Sequence, residues 1–163
     1  MKTLLIVYHT RTGGSLQMAE AAFDAARQET GVETRLVRAA DAVPRDLLTA
    51  DGLLFVCPEN LAAISGEMKE FFDRCYYPVL GRIEGRPYGL MVCAGSDGEN
   101  AVRQVARIAT GWRLKPVAES IIVNTAAQTP EAILAPKTIP SADLARCAEL
   151  GQALAAGLAM GVF

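Results

Sequence analysis

Three stretches of this chain are apolar without interruption: Leu4–Tyr8, Leu53–Cys57 and Leu90–Ala94. Each is too short for a buried helix and lacks the polar alternation of a half-wet strand. Each is therefore expected to be a strand buried on both faces, as in the middle of a parallel sheet. Helical patterns lie between and after them. Met68, Phe71, Phe72 and Cys75 fall at i, i+3, i+4 and i+7, from Ser65 to about Tyr76. Val102, Val105, Ala109 and Trp112 repeat that spacing after Gly98, and Leu144, Cys147, Gly151, Leu154 and Leu158 form a last stripe with Ser141 as its expected N-cap. Arg45–Ala50 has room for two turns at most. Strands alternating with helices predict a parallel sheet covered on both sides. Its five strands are expected at Thr3–Tyr8, Glu33–Arg38, Gly52–Cys57, Tyr88–Ala94 and Val117–Val123. The second of these largely alternates, which suits an edge.

With 163 residues, the chain has the length of one α/β domain, and no repeat or linker divides residues 1–163. A formal charge of −2 and the lack of a basic stripe argue against a nucleic-acid partner. No apolar run approaches the ~20 residues of a membrane span, and Met1-Lys2-Thr3 leads into a strand without a signal-peptide shape. Cys57, Cys75, Cys93 and Cys147 show neither C-x-x-C nor Cys/His metal spacing. They read as reduced core thiols, and the expected compartment is the cytoplasm.

From Leu4 to Ala26 the order is strand, then Thr10-Arg11-Thr12-Gly13-Gly14-Ser15, then helix. Free N–H groups of a first helical turn, together with the helix dipole, favour a negative group. Glycines admit close backbone approach, and Thr and Ser hydroxyls can donate to phosphate oxygens. The turn lacks the Gly-Lys-Ser/Thr ending of the nucleoside-triphosphate loop and the G-x-G-x-x-G dinucleotide fingerprint. It resembles the [Ser/Thr]-x-Thr-Gly-x-[Thr/Ser] loop of the flavodoxin-like family, which wraps the terminal phosphate of FMN, with Thr10, Thr12, Gly13 and Ser15 at the matching positions. Arg11 fills the variable position and faces either solvent or the phosphate.

The segment from Pro58 to Arg74 resembles Pro-x-Tyr-x-Gly-x-x-Ser-Gly-x-[Met/Leu]-Lys-x-Phe-x-Asp-Arg of the flavodoxin-like NAD(P)H-dependent oxidoreductases and FMN reductases. Pro58, Ser65, Gly66, Met68, Lys69, Phe71, Asp73 and Arg74 match. The resemblance implies that the loop Pro58, Glu59, Asn60, Leu61, Ala62, Ala63, Ile64 borders the isoalloxazine ring. Asn60 stands where the family has an aromatic, and Ala62 where it has a glycine. A stacked aromatic contributes about 1 kcal/mol beyond burial, so its absence leaves one ring face more open. Gly95, Ser96, Gly98 and Glu99 resemble the family's turn along the pyrimidine side of the ring.

The resemblance implies a flavodoxin-like fold, a single doubly wound five-stranded parallel sheet of order 2-1-3-4-5. It implies FMN as cofactor, with NADH or NADPH as reductant and a small acceptor such as a quinone or flavin. No catalytic side chain is required, because the cofactor carries the redox chemistry. A short-chain electron carrier, or a flavodoxin-like module with weakened flavin binding, is the alternative. Electron-carrying flavodoxins are typically strongly acidic, which this chain is not. Relatives of the enzyme kind pair as dimers or tetramers, so the aperiodic stretch Asn124–Pro140 could serve a neighbour's site. His9, the only histidine, has no acid/base partner assigned by spacing, and Lys69, Asp73 and Arg74 read as a solvated helix face.

Overall fold

The computed structural model describes residues 1–163. Its strands are β1 (Lys2–Tyr8), β2 (Val32–Arg38), β3 (Gly52–Asn60), β4 (Ala63–Ile64), β5 (Pro87–Ala94), β6 (Lys115–Pro116) and β7 (Ile121–Asn124). The sheet runs β2-β1-β3-β5-β6, with β7 also paired to β5 and β4 folded back antiparallel on the end of β3. All other pairings are parallel. Leaving the β4 hairpin aside, five parallel positions remain in the expected order, with β2 at an edge. The fifth position differs from the expected single strand at Val117–Val123. The ladder to β5 runs through the amides of Lys115 and Val117, but Ala118, Glu119 and Ser120 are exposed with nothing apolar to draw them into the sheet, so the strand breaks into β6 and β7.

The helices are α1 (Gly14–Ala26), α2 (Pro44–Thr49), α3 (Gly66–Val79), α4 (Glu99–Gly111), α5 (Pro130–Leu134) and α6 (Ser141–Met160). The unbroken apolar runs divide by strand alternation. Leu5, Val7, Leu53, Phe55, Leu90 and Val92 face the core under α2, α3 and α4. Leu4, Ile6, Leu54, Val56, Met91 and Cys93 face the core under α1 and α6. On the first side Phe72 meets Phe55 edge-on at 5.0 Å and Trp112 at 5.4 Å, joining β3, α3 and the end of α4. On the other, α1 and α6 approach so closely that a Cβ on Gly151 would stand 2.2 Å from the carbonyl oxygen of Ala22. Ser141 is the first residue of α6 rather than its cap; Pro140 holds the N-cap position. All four cysteines are free and buried.

Lys69 pairs with Asp73 at 2.6 Å on the outer face of α3, as a solvated helix would. Arg74 does more than the sequence suggests. Its guanidinium donates to the carbonyl oxygens of Ala39 and Ala42, tying α3 to the turn before α2. No helix is long and apolar enough to cross a membrane. Because β1, β3 and β5 run parallel, the loops leaving their carboxyl ends gather at one edge, where the chain's path through the sheet reverses.

Candidate functional site

A cleft of about 590 Å³ opens at that edge. Its walls are Thr10, Arg11, Thr12, Gly14 and Ser15 from the first loop, Pro58–Ala62 from the end of β3 and its turn, Cys93–Ser96 from the end of β5 and its turn, and Thr125, Ala127, Ile133, Leu134 and Lys137 from the stretch before α6.

One end of the cleft is rich in hydrogen-bond donors. α1 starts at Gly14, inside the hydroxyl-glycine turn, so its free first-turn amides belong to the loop itself. The amide of Gly13 donates to Thr10 Oγ1 at 3.0 Å, which closes the turn and leaves the Thr10 hydroxyl proton available to a ligand. Ser15 is 1% exposed, and its hydroxyl has no hydrogen-bond partner. A buried orphan of this kind costs about 1–3 kcal/mol, and its proton is free for an acceptor that enters the cleft. A Cβ on Gly14 would stand 2.7 Å from Cys93 Sγ, so the loop sits directly on the cleft floor. Burial pushes the Cys93 thiol up to about 11, against the pull of Lys137, which keeps that floor uncharged.

The other end is a slot between two turns. β3 reverses at Leu61 and Ala62, both left-handed with φ of 51° and 59°, and returns as β4. Asn-Gly is the sequence such a turn favours, and each L side chain there costs roughly 1–2 kcal/mol. Ala62 therefore takes the backbone conformation that a glycine adopts freely. α4 holds this strained tip: Asn100 Nδ2 donates to the Ala62 carbonyl, and the Ile64 amide donates to Gln104 Oε1 at 2.8 Å. Leu61 projects fully exposed at the mouth. Glu59 reaches across the wall, its carboxylate accepting from the amides of Gly98 at 2.9 Å and Ala101 at 3.2 Å, so its side chain caps α4. The Gly95-Ser96 turn opposite is fixed by Asn124 Nδ2 on the Ser96 carbonyl and by Thr125 Oγ1 on that of Ala94.

Twelve of the seventeen expected cofactor residues line the cleft, namely Thr10, Arg11, Thr12, Gly14, Ser15, Pro58, Glu59, Asn60, Leu61, Ala62, Gly95 and Ser96. The other five stand behind its walls. Gly13 and Gly98 are the left-handed N-caps of α1 and α4, Glu99 opens α4, and Ala63 and Ile64 form β4. The sequence reading did not include Lys137. The stretch 125–140 returns over the first loop of its own chain. The Lys137 amide donates to the Thr12 carbonyl at 2.8 Å, and Gln17 Nε2 donates to the carbonyls of Lys137 at 2.8 Å and Gly13 at 3.0 Å. The only signal in the sequence was the length of the aperiodic stretch.

His9 also acquires partners that spacing did not reveal. Its Nδ1 lies 2.7 Å from Ser65 Oγ and its Nε2 3.0 Å from Glu67 Oε2. A carboxylate only accepts, so Nε2 carries the proton and Ser65 donates to Nδ1. Burial holds the imidazole below its ordinary range; Glu67 pulls it upward, while Arg11 and Arg38 push it down. Ser65 is fully buried, which closes it to substrate. The trio rivets the end of β1 to the start of α3.

Residues 40–128 match the family described as NADPH-dependent FMN reductase. Over 97 residues the chain is 41% identical to a flavodoxin of Aquifex aeolicus (strain VF5), covering 60% of this chain and 50% of that one. It is 30% identical to an NAD(P)H dehydrogenase (quinone) of Acidithiobacillus ferrooxidans, covering 45% of this chain and 47% of that one. The chain thus spans about half the length of the curated relatives it matches. A solved flavodoxin from the domain Archaea superposes over 96% of this chain and 98% of its own with a TM-score of 0.77 at 18% identity, a likeness of fold. The family match covers more than half of the chain and both turns of the slot, and the fold is that of flavodoxins; the protein belongs to the NADPH-dependent FMN reductase family.

Proposed function

We propose that this protein is an FMN-binding oxidoreductase that passes electrons from NAD(P)H to a small acceptor such as a quinone or a flavin. The observation that carries this reading is the orphaned Ser15 hydroxyl in the anion end of the cleft, continuous with a slot lined by small residues. The donor set suits a phosphate monoester, since Thr10, Ser15 and the α1 amides donate without a fixed acceptor competing. The slot between Asn60–Ala62 and Gly95–Ser96 suits a flat ring, bordered by backbone on both sides. When bound, FMN supplies the hydride and electron chemistry. The chain's residues bind and orient. Thr10–Ser15 hold the phosphate, the strained hairpin and the Gly95 turn border the ring, and Ile133, Leu134 and Leu61 exclude water at the mouth. The cysteines nearest the cleft are inert: burial raises Cys57 to about 12 and Cys93 to about 11. Reduced thiols and the family's chemistry fit a cytoplasmic setting.

The experiment is NADH and NADPH oxidation by purified protein with FMN, with and without quinone or free flavin as acceptor. Acceptor-dependent turnover is the expected result; no oxidation with any acceptor refutes the reading. The 41% identical flavodoxin relative favours a second reading, a one-electron carrier. A semiquinone accumulating during reductive titration supports the carrier, and direct two-electron reduction supports the enzyme.

A further inference from the structure

Lys137 reaches the phosphate loop from 125 residues away, and two separate sets of bonds bring it there. Its backbone is fixed by the Thr12 carbonyl and by Gln17, whose Oε1 also accepts from the Ile139 amide at 3.0 Å. Its ammonium donates to Thr12 Oγ1 at 3.2 Å, to the Ile133 carbonyl at 2.9 Å and to the Ala135 carbonyl at 2.7 Å. The two carbonyls lie at the C-terminal end of α5, where a cation also meets the negative end of the helix. α5 presents Ile133 and Leu134, 52% and 77% exposed, at the cleft mouth. One cation therefore links the first loop of the cleft to the helix that carries Ile133 and Leu134 on the cleft wall.

The three contacts are unequal. The bond to Thr12 is the longest, and a neutral hydroxyl is a weaker acceptor than an anionic oxygen. Ser15's partnerless hydroxyl lines the same cleft. An anion lodged there meets neutral hydroxyl and amide donors from the loop and two cationic side chains on the cleft wall, Arg11 and Lys137, of which Lys137 alone is tied to α5.

We propose that Lys137 reads the terminal phosphate of the bound flavin nucleotide and ties it to α5, so that the phosphate helps to set the wall over the ring. The proposal rests on the FMN reading above. Lys137 exchanges Thr12 Oγ1 for a phosphate oxygen and keeps the carbonyls of Ile133 and Ala135. Phosphate and α5 then share one cation, and each stabilises the other's position. Riboflavin, which has the ring without the phosphate, cannot engage this link.

The test titrates FMN and riboflavin, by quenching of flavin fluorescence, into the wild type, Lys137→Met and Lys137→Arg. Lys137→Met is expected to weaken FMN by about tenfold to hundredfold, the range of one hydrogen bond to a charged group, and to weaken riboflavin by a clearly smaller factor, the part that comes from loosening α5 alone. Lys137→Arg restores part of the FMN preference. Hydrogen exchange supplies the second readout: FMN protects the amides around α5 in the wild type more than riboflavin does, and that difference vanishes in Lys137→Met. Equal losses of FMN and riboflavin in Lys137→Met overturn the proposal, as does equal protection by the two ligands. If the wild type binds neither flavin, the FMN reading itself fails, and inorganic phosphate then decides the contact. Thermal stabilisation by phosphate that Lys137→Met abolishes supports it, and no stabilisation overturns it.

Discussion

Replacing Ser15 with alanine should move stability and function in opposite directions. In the ligand-free protein the Ser15 hydroxyl is buried with no partner. Removing it relieves a desolvation cost of about 1–3 kcal/mol. Alanine is also the better helix former, a few tenths of a kcal/mol in the same direction, and Ser15 lies in the first turn of α1. For a chain of 163 residues each kcal/mol moves Tm by about 2–4 °C, so Ser15→Ala should melt about 2–12 °C higher when unloaded. With FMN an opposing term enters. The variant loses a hydrogen bond to a charged phosphate, about 1.5–3 kcal/mol, or about 10- to 150-fold in Kd. The two terms are of similar size, so the FMN-saturated proteins should melt within a few degrees of one another. Calorimetry with and without FMN, beside fluorescence titration with FMN and riboflavin, measures every part of this. A lower Tm for the unloaded variant, or an equal loss of FMN and riboflavin, refutes the assignment of Ser15 to the phosphate.

Three further outcomes are expected. Gly14→Ala sets a Cβ 2.7 Å from Cys93 Sγ, so it should weaken FMN by an order of magnitude or more, about 1.4 kcal/mol; Cys93→Ala in the same chain should recover most of that loss, a non-additivity read by titrating all four proteins. Gly151→Ala drives a methyl group against the Ala22 backbone, which cannot yield as a side-chain end would, and should cost about 1–3 kcal/mol in urea denaturation with little change in the affinity of the distant cleft for FMN. His9, held below its ordinary 6.5 by burial, binds protons more weakly in the folded than in the unfolded state. Its contribution to stability is thus complete above about pH 6.5 and is lost as pH falls through the depressed value, and urea midpoints between pH 5 and 7.5 should fall less steeply in His9→Gln.

The parallel sheet was legible because β1, β3 and β5 are buried on both faces and so carry no polar residue to blur the pattern. The edge position of β2 was legible for the converse reason, since one wet face leaves an alternation. The break in the fifth strand is not legible because Val117, Ile121, Ile122 and Val123 form one apolar pattern, whereas the exposed Ala118-Glu119-Ser120 leave the pairing at an edge where no second neighbour enforces it. The donor-rich first loop of the cleft was legible because its hydroxyls and amides are contiguous in sequence and come from one helix start. The parts that were not legible depend on partners far along the chain. Glu59 serves as a cap for α4, Asn100 and Gln104 support the hairpin, Ser65 and Glu67 bracket His9, and Gln17 and Lys137 join the strap to the loop. Each of these is an ordinary polar residue until the fold sets its partner beside it.

The bond between Gln17 and Lys137 closes a loop of 120 residues, and this has a kinetic consequence. Contacts of such separation form only after the intervening chain has been organised, because their loop entropy must be offset by structure already in place. The first βαβ unit can fold from the opening third of the chain, yet its phosphate loop gains its ceiling and its cation only when the stretch before α6 arrives. A flavin nucleotide therefore meets a finished cleft late and cannot act as a template for early folding. Until a flavin nucleotide binds, the folded protein carries the uncompensated Ser15 hydroxyl.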